Sequence, residues 1–270
     1  MKTLIYQYRD GEETSESEYS VRCMKDYANR IGSEYIYEHD PKFVTNLGSF
    51  SSHYGSFKPI YEPSISEHYD YVLYADTDVF PVDGLTENIF DQFKGTDIDI
   101  GICEEWNAPE VRTKHTIAGI NNENDERWMK LMESLYNVKL PRTENNLPKV
   151  YNSGVVVYSK QGLLKAKYKF LKFELYTSMI ESAQLPAFYT CDQPYLHAML
   201  EVAKMNWTTM DYKWNSSVHY QPGTKDPRPV VDLRDNANFV HIQLAGANNF
   251  DVTTITRVVN EPVEEWGKLT

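Results

Sequence analysis

The sequence predicts one α/β domain built on a mainly parallel sheet flanked by helices. Three observations point there. Short apolar runs alternate with stretches of helical periodicity along most of the chain. No repeat, low-complexity tract or linker divides the 270 residues, and that length can bury one large core. The most apolar run, Tyr71-Val72-Leu73-Tyr74-Ala75, stops directly at an acidic pair, and in open α/β sheets ligands bind beyond the carboxyl ends of the strands.

The elements follow in order. Leu4–Tyr8 is a first strand and the polar, acidic 11–18 a loop. Val21, Met24, Tyr27, Ala28 and Ile31 recur at helical spacing, and Gly32 ends that helix. Glu34–Glu38 alternates like a strand, and Phe57–Tyr69 reads as a helix that tolerates Pro59 in its first turn. After the Tyr71–Ala75 strand come a strand at Ile98–Cys103, a helix at Asn124–Tyr136 and a strand at Val150–Ser159. A long helix at Gly162–Ser182, a helix at Gln193–Val202 and a last strand at Asn238–Ile242 complete the pattern, with loop beyond.

Composition narrows the function. Lys and Arg number 27 against 39 Asp and Glu, a net charge of −12. Such a chain lacks the cationic face that nucleic acid or an anionic lipid surface requires, but it suits a metal cation and, through it, a phosphate ester. Apolar runs such as 154–158 fall far short of the roughly 20 residues of a spanning helix, so no transmembrane segment is expected. The N-terminus turns polar at Gln7 and Arg9 and reads as a strand and not as a leader, so a cytoplasmic location is expected. Cys23, Cys103 and Cys191 are odd in number and widely spaced, as in a reducing compartment, and carry no zinc signature. Two glycosylation acceptor patterns, starting at Asn206 and Asn215, then read as chance. Aromatic residues make up 13% of the chain, 20 of them Tyr, and part of that surplus is expected to line a pocket.

The chemistry centres on Asp76-Thr77-Asp78. On an extended segment, residues two apart point the same way, which would bring both carboxylates to one side of the strand end. Two adjacent anions repel, and a hard divalent cation with a taste for oxygen relieves the repulsion. A solvated acidic turn is the plain alternative. Two enzyme classes use such a pair: haloacid-dehalogenase-like phosphatases, where Asp76 would be the nucleophile, and nucleotide-sugar transferases. In the phosphatases a Thr or Val usually stands four places after the first Asp, and here that place is Phe80.

Further segments fall in a telling order: Ser56–Tyr61, then Tyr71–Phe80 with its D-x-D, then Tyr151-Asn152-Ser153-Gly154 running into Val155–Tyr158. Tyr189–Leu196 with Asp192-Gln193, Lys213-Trp214-Asn215, and Val240-His241-Ile242-Gln243-Leu244-Ala245-Gly246 complete it. This order resembles the metal-dependent glycosyltransferases of the GT-A fold, especially those similar to glycogenin and the retaining bacterial galactosyltransferases. The likeness runs from Leu4 to Gly246 and implies a Rossmann-like sheet, with a nucleotide-binding half over residues 1–105 and an acceptor-binding half over 106–250.

The resemblance also implies roles. Asp76, Asp78 and His241 would hold Mn²⁺ or Mg²⁺, and an imidazole in the set favours Mn²⁺. Lys58 would contact the diphosphate or donor sugar, Gln7, Tyr8 and Asp40 the nucleoside, and Asp76 and Thr77 the nucleotide-sugar. Asn152 and Ser153 would face donor sugar or acceptor, and Asp192 and Gln193 the reacting carbon. The expected reaction moves a sugar from a nucleotide-sugar, most simply a UDP-sugar, to a hydroxyl of a carbohydrate or glycoprotein, with retention. A non-catalytic sugar- or metal-binding module is the competing reading.

Plainer structural roles exist for several of these residues. Asn152-Ser153-Gly154 could be a turn into a strand, Asp192-Gln193-Pro194 a helix cap, and His241 a core histidine. Glu104-Glu105-Trp106 ends a strand at the same sheet edge, where an acceptor could meet it, and His219 and Arg228 fall in a Pro-rich loop that could be a lid over the donor. Ala247–Phe250 stand where similar enzymes carry a Lys and a Trp.

Overall fold

The computed structural model describes residues 1–105, 119–220, 227–229, 234–243 and 251–268. Its larger sheet has six strands: β1 (Thr3–Arg9), β2 (Glu34–His39), β3 (Tyr71–Ala75), β5 (Ile100–Glu104), β6 (Tyr151–Ser159) and β7 (Trp207–Met210). Their order is β2-β1-β3-β6-β5-β7. β1 pairs in parallel with β2 and β3, and β5 with β7, while β6 alone runs against both its neighbours. β1, β3 and β6 are buried along almost their whole length, which explains why they read as continuous apolar runs without alternation. A smaller sheet, in the order β4-β10-β8-β9, joins β4 (Val79–Pro81), β8 (Ser216–Tyr220), β9 (Pro227–Pro229) and β10 (Phe239–Gln243).

Helices cover the sheets. α1 (Ser15–Ile31) starts earlier than its periodicity predicts, because Thr14 and Ser17 form a reciprocal cap on its first turn. Gly32 ends it in the left-handed region at φ +71°, as expected. The predicted helix over 57–69 is instead two single turns, α2 (Lys58–Tyr61) and α3 (Pro63–Ser66). Pro63 keeps Glu62 extended, at φ −86° and ψ 109°, and so interrupts the run. α4 spans Asn122–Tyr136. The long helix over 162–182 likewise divides into α5 (Lys160–Lys169) and α6 (Phe173–Ser182), with Phe170 extended between them. α7 is Asp192–Val202, and α8 (Val252–Asn260) falls where the sequence reads as loop. β4, β7, β8 and β9 were also not predicted: the first is three residues long, and β7 is only half-buried.

Apolar clusters fill both faces of the larger sheet. One gathers Tyr54, Phe57, Tyr158, Tyr176 and Tyr195 with α7, and the other gathers Ile5, Leu73, Val155 and Val157 with α1. A third packs α8 against β10. The tyrosine surplus goes mainly into the core and only partly to a pocket, since each buried ring needs only a carbonyl for its hydroxyl. Tyr54 donates to Thr190 O at 2.8 Å, Tyr176 to Tyr189 O at 2.9 Å, and Tyr195 to Leu171 O at 2.6 Å. No helix among the described residues is long and apolar enough to cross a membrane. His219 and Arg228 lie opposite one another in the β8–β9 strand pair and not in a loop. Trp106 and 244–250 lie outside the described residues.

Candidate active site

The chain does not stay extended after β3. Val79 N–H donates to Asp76 O at 3.2 Å, closing a tight turn over Asp76-Thr77-Asp78. The two carboxylates converge because that turn is clamped from three sides. Asp76 N–H donates to Gly154 O at 2.8 Å, Gln7 Nε2 donates to Asp76 O at 2.9 Å, and Ile242 N–H donates to Asp78 O at 3.0 Å. The last bond brings β10 alongside, and with it His241. Ligand atoms of Asp76, Asp78 and His241 lie within 4.8 Å of one another, with His241 Nε2 3.1 Å from Asp78 Oδ1 and 3.9 Å from Asp76 Oδ2.

The imidazole is oriented from behind. Its Nδ1 lies 2.8 Å from Asn215 Oδ1, and Asn215 Nδ2 donates to Asn152 Oδ1 at 2.9 Å. Asn152 Oδ1 also accepts from Gly154 N–H at 2.8 Å. This chain joins three of the motif segments. The Asn215 oxygen favours the proton on Nδ1, which turns the Nε2 lone pair toward the carboxylates, the arrangement that metal-ligating histidines adopt; Gln243 Nε2 lies 3.3 Å from the same Nδ1. Asn215 is 1% exposed, so its acceptor pattern is closed to glycosylation. Asn215→Ala is expected to free the ring and weaken Mn²⁺ binding by roughly 10–100-fold with the fold intact, as titration calorimetry would read directly.

Electrostatics fit a cation. Burial and the charge of Asp78 push the Asp76 carboxyl up to about 6, against help from His241 and from the Tyr74 hydroxyl that donates to it. Burial pushes His241 down, but the carboxylates of Asp78 and Asp76 outweigh it, so its net shift is upward. Asp78 Oδ1 is buried, and what faces it among the described residues is His241 Nε2 at 3.1 Å. Two carboxylates and an imidazole crowded without enough protons are a donor set of the kind Mn²⁺ takes, so the residues present fit a divalent ion.

The triad opens into a cleft of about 620 Å³. Of the residues singled out in the sequence, Tyr8, Thr77, Asn152, Ser153, Asp192 and Gln193 line it with the triad. Asp192 and Gln193 are the first residues of α7, where the helix dipole favours a carboxylate, and the cap position is Cys191 and not Asp192. Gln193 Nε2 donates to Glu105 Oε2 at 3.0 Å. Three predicted residues are not among those that line the cleft. Gln7 is fully buried beneath it, its amide holding Asp76 O and accepting from the Tyr35 hydroxyl at 2.8 Å. Lys58 pairs with Glu38, and Asp40 accepts from Gly11 N–H at 2.7 Å and pairs with Lys42 at 3.2 Å.

Sequence reading missed two features. His53 lines the cleft, its Nδ1 3.4 Å from Asp192 Oδ1, and nothing near it in sequence announces that meeting. Gly154 is the floor under the triad: a Cβ there would strike His241 Cε1 and come within 2.8 Å of Asp76 Oδ2 and 2.9 Å of Asn152 Oδ1. Its place in the Asn152-Ser153-Gly154 run was the available signal.

No protein-family model and no curated protein sequence matches the chain. Solved structures do. A glycosyltransferase involved in glycosylating the major capsid of PBCV-1 aligns with a TM-score of 0.53 at 13% identity, over 92% of this chain and 97% of that one. The chain has the GT-A glycosyltransferase fold. Two other proteins align with TM-scores of 0.49. The galactosyltransferase LgtC, solved with donor and acceptor sugar analogues, is 13% identical over 98% of this chain and 99% of its own. Mouse xyloside xylosyltransferase 1 is 11% identical over 89% and 96%. On this GT-A fold the acidic turn sits at the end of β3, in the middle of the six-stranded sheet.

Proposed function

We propose that the chain transfers a sugar from a UDP-sugar to a hydroxyl of a carbohydrate or glycoprotein, with Mn²⁺ held by Asp76, Asp78 and His241 and with retention at the anomeric carbon. The observation that carries this reading is the convergence of those three ligands at the wall of the cleft. Asp10, Glu16, Asp76, Asp78 and Asp192 line that cleft, five carboxylates beside Arg9, so a diphosphate enters such a field only together with a cation. When bound, the ion stabilises the negative charge that grows on the departing nucleoside diphosphate.

The chain's own residues do the rest. Tyr8 lines the cleft where the nucleoside would lie, and Thr77, Asn152 and Ser153 offer hydrogen bonds to phosphate and sugar. Gln7 braces the turn that aims both carboxylates. Gln193 is an amide that takes no proton; with its Nε2 tied to Glu105, its carbonyl oxygen is the group to meet the electron-poor anomeric carbon.

A thermal-shift screen of nucleotides and nucleotide-sugars with and without Mn²⁺ tests the reading, because a ligand bound to the fold raises its melting temperature. A UDP-sugar that stabilises only together with Mn²⁺, and an anomeric coupling in the product NMR spectrum equal to that of the donor, are the expected results. Stabilisation by Mn²⁺ should itself depend on pH. Protons compete for Asp76 and for His241, whose carboxylate neighbours raise it above the ordinary imidazole range, so affinity climbs with pH through about 6 and continues to rise until the imidazole is neutral. In the metal-free chain the sign is opposite. The folded state holds that proton more tightly than the unfolded chain does, so this group stabilises the fold near pH 4 and loses that contribution as pH rises through about 6.

A further inference from the structure

We propose that His53 is the proton acceptor for the attacking hydroxyl, oriented by Asp192 across the cleft. This rests on the sugar-transfer reading and names the residue that would complete its chemistry. His53 lies in the turn segment Gly48–Phe57, far in sequence from Asp192, yet its Nδ1 is 3.4 Å from Asp192 Oδ1. The carboxylate favours the proton on Nδ1, which leaves Nε2 as the basic nitrogen. Among the described residues Nε2 makes no hydrogen bond, and the imidazole is half exposed in the cleft.

The pair is built and not incidental. The Tyr8 hydroxyl donates to His53 O at 3.0 Å and to Ser52 O at 2.7 Å, and Ser56 Oγ donates to His53 O at 2.9 Å. The Phe50 ring meets the imidazole edge-to-face at 5.2 Å. Tyr54, the next residue, donates to Thr190 O two residues before Asp192, so both halves of the pair ride on one buried hydrogen bond. Asp192 is 6% exposed and fixed in the first turn of α7. Backbone pinning of this kind holds a site to its working geometry. Burial disfavours a charged imidazole, but among the described residues the carboxylates of Asp192, Asp76 and Asp78 outweigh it and favour a proton on the ring.

The step balances. The acceptor oxygen forms a bond to the anomeric carbon on the same face from which the diphosphate oxygen departs as its bond to that carbon breaks, so the configuration is retained. The electron pair leaves with the diphosphate, and the hydroxyl proton passes to His53 Nε2. Asp192 stabilises the imidazolium until the proton is lost to water.

The test uses the full chain with UDP-glucose, UDP-galactose and UDP-xylose, Mn²⁺, and p-nitrophenyl glycosides as acceptors. His53→Ala is expected to lower the turnover number for UDP release by roughly 100-fold or more, while leaving the thermal stabilisation by UDP-sugar plus Mn²⁺ unchanged. Added imidazole should restore at least a tenth of the lost rate, which a packing defect would not allow. His53→Gln, which keeps a polar side chain without a base, should be as slow as His53→Ala. Either variant matching the wild-type rate, or a loss that imidazole leaves untouched, overturns the role of His53 alone. No UDP release and no UDP-sugar stabilisation with the wild-type chain overturns the sugar-transfer reading and the role of His53 together.

Discussion

Asp78→Ala should reduce Mn²⁺-dependent UDP release by more than about 100-fold, because it removes a ligand outright where loss of a supporting partner already costs 10–100-fold in metal affinity. The same change should leave the metal-free chain stable to within about 1 kcal/mol. His241 Nε2 loses the carboxylate oxygen 3.1 Å away, but the ring keeps its contact with Asn215 and the backbone bond from Ile242 N–H to Asp78 O survives the change. The substitution also takes away a charge that pushes Asp76 upward, and the Asp76 carboxyl should return toward its ordinary range. Thermal melts with and without Mn²⁺, beside a UDP-release assay, separate the two effects. A variant that unfolds without metal, or one that still responds to Mn²⁺ as the wild type does, contradicts the assignment.

The second large effect is expected at Gly154. Alanine there needs no unusual backbone, so its cost comes from where the methyl group lands. It would strike His241 Cε1, which hydrogen bonding through Asn215 prevents from yielding, and crowd Asp76 Oδ2 at 2.8 Å. Overpacking of this kind costs about 1–3 kcal/mol. The displaced ring should also abolish the Mn²⁺ shift, so Gly154→Ala loses both stability and metal response. Ser153→Ala, one position away, serves as the comparison: it is expected to keep the metal response. Equal Mn²⁺ titrations for Gly154→Ala and wild type would show that the floor of the site has room to give.

Much of this architecture was legible from local pattern. The strands β1, β3 and β6 declare themselves because both their faces are buried, and the acidic turn is visible as two charges against an apolar run. Asp76 and Asp78 stood out as a pair, and His241 joined them only through the resemblance to GT-A transferases. What makes them a site could not be read, because it depends on backbone bonds between distant segments: Ile242 N–H to Asp78 O, and Asp76 N–H to Gly154 O. His53 was missed for the same reason, since its partner stands on α7. Pro63 and the extended Phe170 broke helices that periodicity alone joined. The strand β4 went unseen because three residues are too few to show a period. Lys58, placed by the motif order near the phosphate, pairs with Glu38 in this structure, a partner on β2 that no local pattern announces.

The position of His241 has one more consequence. Asp76 and Asp78 leave the six-stranded sheet, whereas the histidine belongs to β10 of the small one. An ion gripped by all three is therefore a removable rivet between two layers of the molecule, closing a loop of well over a hundred residues. Chelation would remove that link and leave the β4–β10 pairing and the Ile242–Asp78 bond to hold the join, so a protease should cut the C-terminal segment faster once the ion is taken away.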